Sequence, residues 1–138
     1  MHALEVCDDE RLKLALNLAF SCSLRMGEML GLTWDYIDIP ENAIAENRTY
    51  IYVDKEVQRV EKSALQELRC KDVILVFPEE SNMNKSVRVV KLPKTESSIR
   101  KVFLPKSVAE MLIKWKEGQD KINWPRCFYS WSIRDVNA

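Results

Sequence analysis

The sequence predicts an α+β domain, with helices packed on a small, mainly antiparallel sheet. Three observations point there. Two apolar segments with helical spacing precede Gly31; short β-branched runs separated by turn residues fill 49–104; and helical periodicity returns after Lys106. The 138 residues allow one domain with a moderate core.

Asp8 and Asp9 precede the apolar segment Leu12 to Phe20. An acid at a helix N-cap accepts orphan backbone N–H groups and meets the positive end of the dipole. Leu12, Leu16, Ala19 and Phe20 share one side, and Leu14 and Leu18 make the other side apolar too, which predicts a buried helix. A break falls at Cys22-Ser23. Ser23 is expected to cap a second, short helix from about Leu24 to Met29 or Leu30, with Gly31 ending it. Arg25 then sits in its first turn, on a tight corner.

The run "TYIYVDKEVQRV", Thr49 to Val60, reads as one strand, and Glu61 to Arg69 as a short helix. "DVILVF", Asp72 to Phe77, reads as a strand stopped by Pro78, followed by a polar loop from Glu79 to Asn84. Ser86 to Leu92 and Ile99 to Leu104 are further strands, joined by "PKTESS" as a turn, so the sheet should hold about three to five strands. Ser107 and Glu110 have capping-box spacing, and Val108, Met111, Leu112 and Trp115 mark one apolar face. Trp124-Pro125 breaks that pattern, and the tail "CFYSWSIRDVNA" carries aromatic weight.

Lys plus Arg equals Asp plus Glu at 21 each, so net charge selects no partner. Distribution says more. Between Lys85 and Lys106 the basic residues are Lys85, Arg88, Lys91, Lys94, Arg100, Lys101 and Lys106, against Glu96 alone, while the first 47 residues are acid-rich. Cys7, Cys22, Cys70 and Cys127 show no metal-ligand spacing and His2 is the only histidine, so no zinc site is expected. Free cysteines in a reducing cytoplasm fit this usage. No apolar run has membrane-spanning length, no signal peptide is visible, and three glycines form no phosphate-cradling loop. The expectation is a cytoplasmic protein with no cofactor, metal or membrane partner.

Arg25 and Glu28 stand inside an apolar run, where charge is expensive unless paired or used. One reading is an Arg25–Glu28 pair at i, i+3. The other is an arginine held at a helix N-terminus to bind phosphate, with Glu28 orienting it. Lys94 reads either as a solvated turn lysine or as a lysine projected from a hairpin tip into a nucleic-acid groove. In the latter case Arg100 and Lys101 lie beside the backbone, in contacts that position without reading sequence.

"LALNLAFSCSLRMGEMLGLTWDYID" resembles the first catalytic-arginine motif of the tyrosine recombinases, the phage-integrase family, through Leu24, Arg25, Glu28, Leu30, Gly31, Leu32, Trp34, Asp35, Ile37 and Asp38. Cys22-Ser23 departs from the Thr-Gly common there. About seventy residues on, "LPKTESSIRKVFLP" resembles the family's lysine hairpin of Pro-Lys-Thr, Ser-x-Arg and an apolar strand ending in Leu-Pro. Two motifs in the right order are more specific than either alone. The resemblance covers nearly the whole chain and is nearest to integrases of mobile elements in low-GC Gram-positive bacteria.

The resemblance implies that Arg25 clamps the scissile phosphate, supported by Glu28, and that Lys94 protonates the leaving 5′ oxygen. Lys94, Thr95, Ser98, Arg100 and Lys101 would touch DNA. It implies transesterification through a 3′-phosphotyrosine without metal. The partners it implies are a double-stranded DNA attachment site and other recombinase protomers in a synaptic complex. The family also uses His-x-x-Arg, a later His or Trp, and a late nucleophilic Tyr, none of which is matched here; Tyr36 lies in the first motif and Tyr50 and Tyr52 in an expected strand, which leaves Tyr129 as the one candidate nucleophile. The expectation is therefore a first half of a catalytic domain over 1–138, without the N-terminal DNA-clamping domain or the C-terminal catalytic half. Such a fragment should be inactive alone and expose an apolar patch, or self-associate through it. Two readings compete: a DNA-binding module without chemistry, built on a helix-turn-helix at Cys22-Ser23, and an interaction protein. Under the plain structural reading, Trp34, Trp115, Trp124 and Trp131 fill core positions.

Overall fold

A computed structural model describes residues 6, 8–67, 72–77 and 83–120. The Asp9 carboxylate opens helix α1 (Glu10–Cys22) by accepting the backbone N–H groups of Arg11 at 2.8 Å and Leu12 at 3.4 Å. Leu14, Leu18 and Cys22 recur every fourth residue and form the buried stripe of α1. The helix is not buried all round as its composition predicts: Leu12 is 52% exposed and Phe20 75% exposed. A single stripe suffices, because α1 packs along one side, against the last helix.

Ser23 ends α1 in the left-handed region, at φ 52° and ψ 36°, with its N–H turned back to the Leu18 carbonyl. It therefore closes the first helix rather than capping the second. Helix α2 (Met26–Leu30) is capped by Arg25. A 3-10 turn (Trp34–Tyr36), strand β1 (Ile37–Asp38) and helix α3 (Glu41–Ala45) follow. The sequence pattern marks neither β1 nor α3, both too short for periodicity to register.

The expected single strand over 49–60 is two, β2 (Tyr50–Val53) and β3 (Glu56–Glu61), in different sheets. Helix α4 (Lys62–Glu67) and strands β4 (Val73–Val76), β5 (Ser86–Lys91) and β6 (Arg100–Phe103) lie close to their predicted places. Among the described residues six strands form two antiparallel three-stranded sheets, ordered β1-β2-β6 and β3-β5-β4. The α+β class holds. "PKTESS" is not the turn of a β5–β6 hairpin, since those strands do not pair with each other. Val53 faces Arg100, and Glu56 faces Lys91. Residues 92–99 therefore bulge out opposite Asp54 and Lys55, where the chain passes between the sheets.

Helix α2 sits against that passage. A Cβ on Gly27 would stand 2.7 Å from the Val57 carbonyl oxygen, and one on Gly31 would stand 3.2 Å from that of Lys55. Gly31 has φ −84°, so close approach, not a left-handed cap, is what glycine serves there.

Helix α5 (Lys106–Asp120) begins one residue before the expected cap. Its first bonds run from the N–H groups of Val108 and Ala109 to the Pro105 carbonyl, which puts Ser107 inside the first turn, so the predicted capping box does not form its start. Val108, Ala109 and Leu112 join Leu14, Leu18, Met29, Ile51, Val53 and Leu104 in the core. Trp34 and Trp115 pack half-buried against it, and the Trp34 Nε1–H donates to Gln119 Oε1 at 2.8 Å. Cys22 is a free, buried thiol whose pKa burial pushes up. His2, Cys7, Cys70, Cys127, Tyr129, Trp124, Trp131 and the Trp124-Pro125 break lie outside the described residues.

Candidate functional site

Arg25 caps α2 with an extended backbone (φ −76°, ψ 155°), and the residue is exposed. Glu28, one turn on, is 3% exposed. Its Oε2 accepts the Arg25 backbone N–H at 2.9 Å. The expected side-chain pair of Arg25 and Glu28 is not what forms. The guanidinium on Glu28 belongs to Arg100, with Nη1 donating to Oε1 at 2.8 Å and Nη2 to Oε2 at 3.1 Å. Arg100 Nη1 also donates to the Ser98 carbonyl at 3.1 Å, and Nη2 to the Ser23 carbonyl at 3.5 Å.

The electrostatics follow from this fork. Burial pushes the Glu28 carboxyl up, but the Arg100 guanidinium and the Arg25 N–H outweigh it and hold the group below its ordinary value. Glu28 in turn raises Arg100. Helix α2 has five residues, so its dipole adds little to the corner. What the corner offers an anion is the exposed Arg25 side chain on a backbone fixed from behind by a buried acid.

Lys94 is exposed in the 92–99 bulge. The Thr95 and Ser98 hydroxyls share a hydrogen bond of 2.9 Å, Thr95 and Ser97 one of 3.1 Å, and a 3-10 turn (Glu96–Ser98) closes the segment. Lys101 is exposed on β6, with its Nζ 4.0 Å from the centre of the Tyr50 ring. The structure thus joins Arg25, Glu28, Ser98 and Arg100 in one network. Thr95 and Ser98 shape the bulge, and Lys94 and Lys101 stand as separate surface cations.

The Glu28–Arg100 fork, spanning 72 positions, is the feature that sequence reasoning missed. Its only trace in the sequence is the charge of Glu28 inside an apolar run, since Arg100 stands between Ile99 and Lys101 with no such mark.

Among the described residues no group of three or more His, Cys, Asp or Glu side chains could hold a metal ion, and no helix is long and apolar enough to cross a membrane.

An α+β domain with an arginine at the α1–α2 corner and a lysine-bearing bulge before β6 places the two segments that carry the resemblance to the tyrosine recombinases, and a curated relative supports that family. Over 115 residues, 83% of this chain, the sequence is 31% identical to a tyrosine recombinase XerC-like protein of Caldanaerobacter subterraneus subsp. tengcongensis. The chain spans 24% of that relative's length. No family model and no solved structure matches this chain.

Proposed function

We propose that this chain is the first half of the catalytic domain of a site-specific DNA recombinase and supplies its first phosphate ligands. The observation that carries the reading is Arg25: an exposed guanidinium on a corner whose backbone is anchored to a buried carboxylate. A backbone held this way fixes where the guanidinium starts from, which limits the reorganisation needed to meet a phosphate and favours charge stabilisation in a transition state.

In the proposed reaction a tyrosine oxygen attacks the phosphorus, and the bond from phosphorus to the 5′ oxygen breaks. Arg25 stabilises the charge on the non-bridging oxygens. Lys94 delivers its proton to the departing 5′ oxygen. The products are a 3′-phosphotyrosine and a free 5′ hydroxyl, and the reverse attack joins a new strand. The substrate is a double-stranded DNA attachment site, brought together with a second one by other recombinase protomers.

This sequence contains no His-x-x-Arg motif. The 138-residue chain should accordingly form no covalent adduct on a nicked suicide duplex. Supplying the missing catalytic segments in a chimaeric recombinase should allow the adduct, and Arg25→Ala there should slow it by roughly 10²–10³-fold. An adduct formed by the chain alone, or a chimaera indifferent to Arg25, sinks the assignment.

The second reading is a DNA-binding module without chemistry, favoured by the exposed Lys94 and Lys101. The five-residue α2 does not suit a groove-reading helix. A pure binder would lose affinity and salt dependence on Lys94→Ala without any effect on adduct formation.

A further inference from the structure

An arginine used for phosphate needs its fork of donors free, and the fork of Arg100 is spent inside the protein. Both terminal nitrogens lie on the two oxygens of Glu28, at 2.8 and 3.1 Å. Glu28 is only 3% exposed, so water does not share its carboxylate freely. The oxygen that takes Arg100 Nη2 is the one that accepts the Arg25 N–H. The same guanidinium reaches the carbonyl of Ser98, at the end of the bulge that carries Lys94, and that of Ser23, the left-handed corner before Arg25. Arg100 is itself set in the β2–β6 ladder opposite Val53.

We propose that Arg100 is a positioning residue for Arg25: through the buried Glu28 carboxylate it holds the Arg25 corner in fixed register with the bulge that carries Lys94. The inference deepens the reading of Arg25 as a phosphate ligand and rests on it. Lysine cannot replace arginine in this role. A single ammonium cannot fork onto two carboxylate oxygens and meet two carbonyls from one plane.

Arg100→Lys tests this, because it keeps the charge and removes the fork. In the 138-residue chain, amide hydrogen exchange by NMR should show the Arg25 N–H exchanging at least about tenfold faster, while the Leu112 amide in α5 is unchanged. Binding to a short DNA duplex should weaken although net charge is conserved. Adding Arg100→Lys to Arg25→Ala should then cost nothing further, since both changes disable one unit. If Arg100→Lys does not fold, Arg100→Gln, which also removes the fork, reads the same amide, with the same expected loss of protection.

Two results overturn the proposal. One is an Arg25 amide that stays protected in the variant. The other is additive losses on DNA, with Arg100→Met lowering the salt slope by about one phosphate and Arg100→Lys restoring it, which would make Arg100 a phosphate ligand itself. A wild-type chain that binds no duplex removes the phosphate-ligand reading of Arg25, and amide exchange still decides whether Arg100 positions it.

Discussion

At Glu28 a carboxylate is almost fully out of water, and its stability follows from its partners. Arg100→Met would strand that charge. Stranding a fully buried charge costs about 3–5 kcal/mol. The Arg100 side chain is 34% exposed, so solvent screens part of the interaction and a loss on the order of 2 kcal/mol is expected in urea denaturation. The pH dependence has a definite sign. Glu28 is depressed below its ordinary value of 4.5, so the fork contributes fully above that value and fades as pH falls through the lower folded one. Stability of the wild type should therefore hold from neutral pH down to about 4.5 and drop below it, and Glu28→Gln should remove part of that slope. A slope identical in the two proteins would show that other carboxylates set it.

Two glycines in helices carry opposite predictions at the scale of the element. Gly27 lies where α2 meets β3, and a methyl group there stands 2.7 Å from a backbone oxygen that cannot swing away. Gly27→Ala should separate α2 from β3 and cost about 1–3 kcal/mol, with the Arg25 corner displaced. Gly118 is in α5, and a methyl group added there would meet nothing within 4 Å. Gly118→Ala should instead stabilise by about 0.5–1 kcal/mol, because it limits the unfolded chain and favours helix. Thermal melts of both variants check the pair. Local order of this kind is legible in sequence: the Asp9 cap, the helical span of α1, and the strand runs of β4 and β5 all depend on near neighbours, whereas which stripe of α1 is buried is not. The division of 49–60 into β2 and β3 is not legible, because strand-like alternation resumes at Val57 after Asp54, Lys55 and Glu56, with no glycine or proline to mark the change of sheet.

Across the whole molecule, apolar surface is left over. Strand β4 is at the edge of the second sheet, and its Ile74, Leu75 and Val76 are 57%, 53% and 43% exposed. An exposed apolar edge strand is a template for pairing with another chain. The 138-residue chain should associate with rising concentration in sedimentation velocity, and Leu75→Lys should suppress this. A wild-type chain that stays monomeric at high concentration would show that the edge is covered.

The sequence by itself determined the α+β class, the candidate phosphate residues Arg25 and Lys94, and the motif order by which they resemble a recombinase. Those features are written in contiguous segments, where spacing and caps act over a few residues. Only the tertiary structure decided that β5 and β6 part into separate sheets, that the Lys94 segment is a bulge and not a hairpin tip, and that the guanidinium forked onto Glu28 is that of Arg100 and not of Arg25. The reason is physical. A buried carboxylate takes whichever guanidinium the packed core brings to it, and here that one lies 72 positions away.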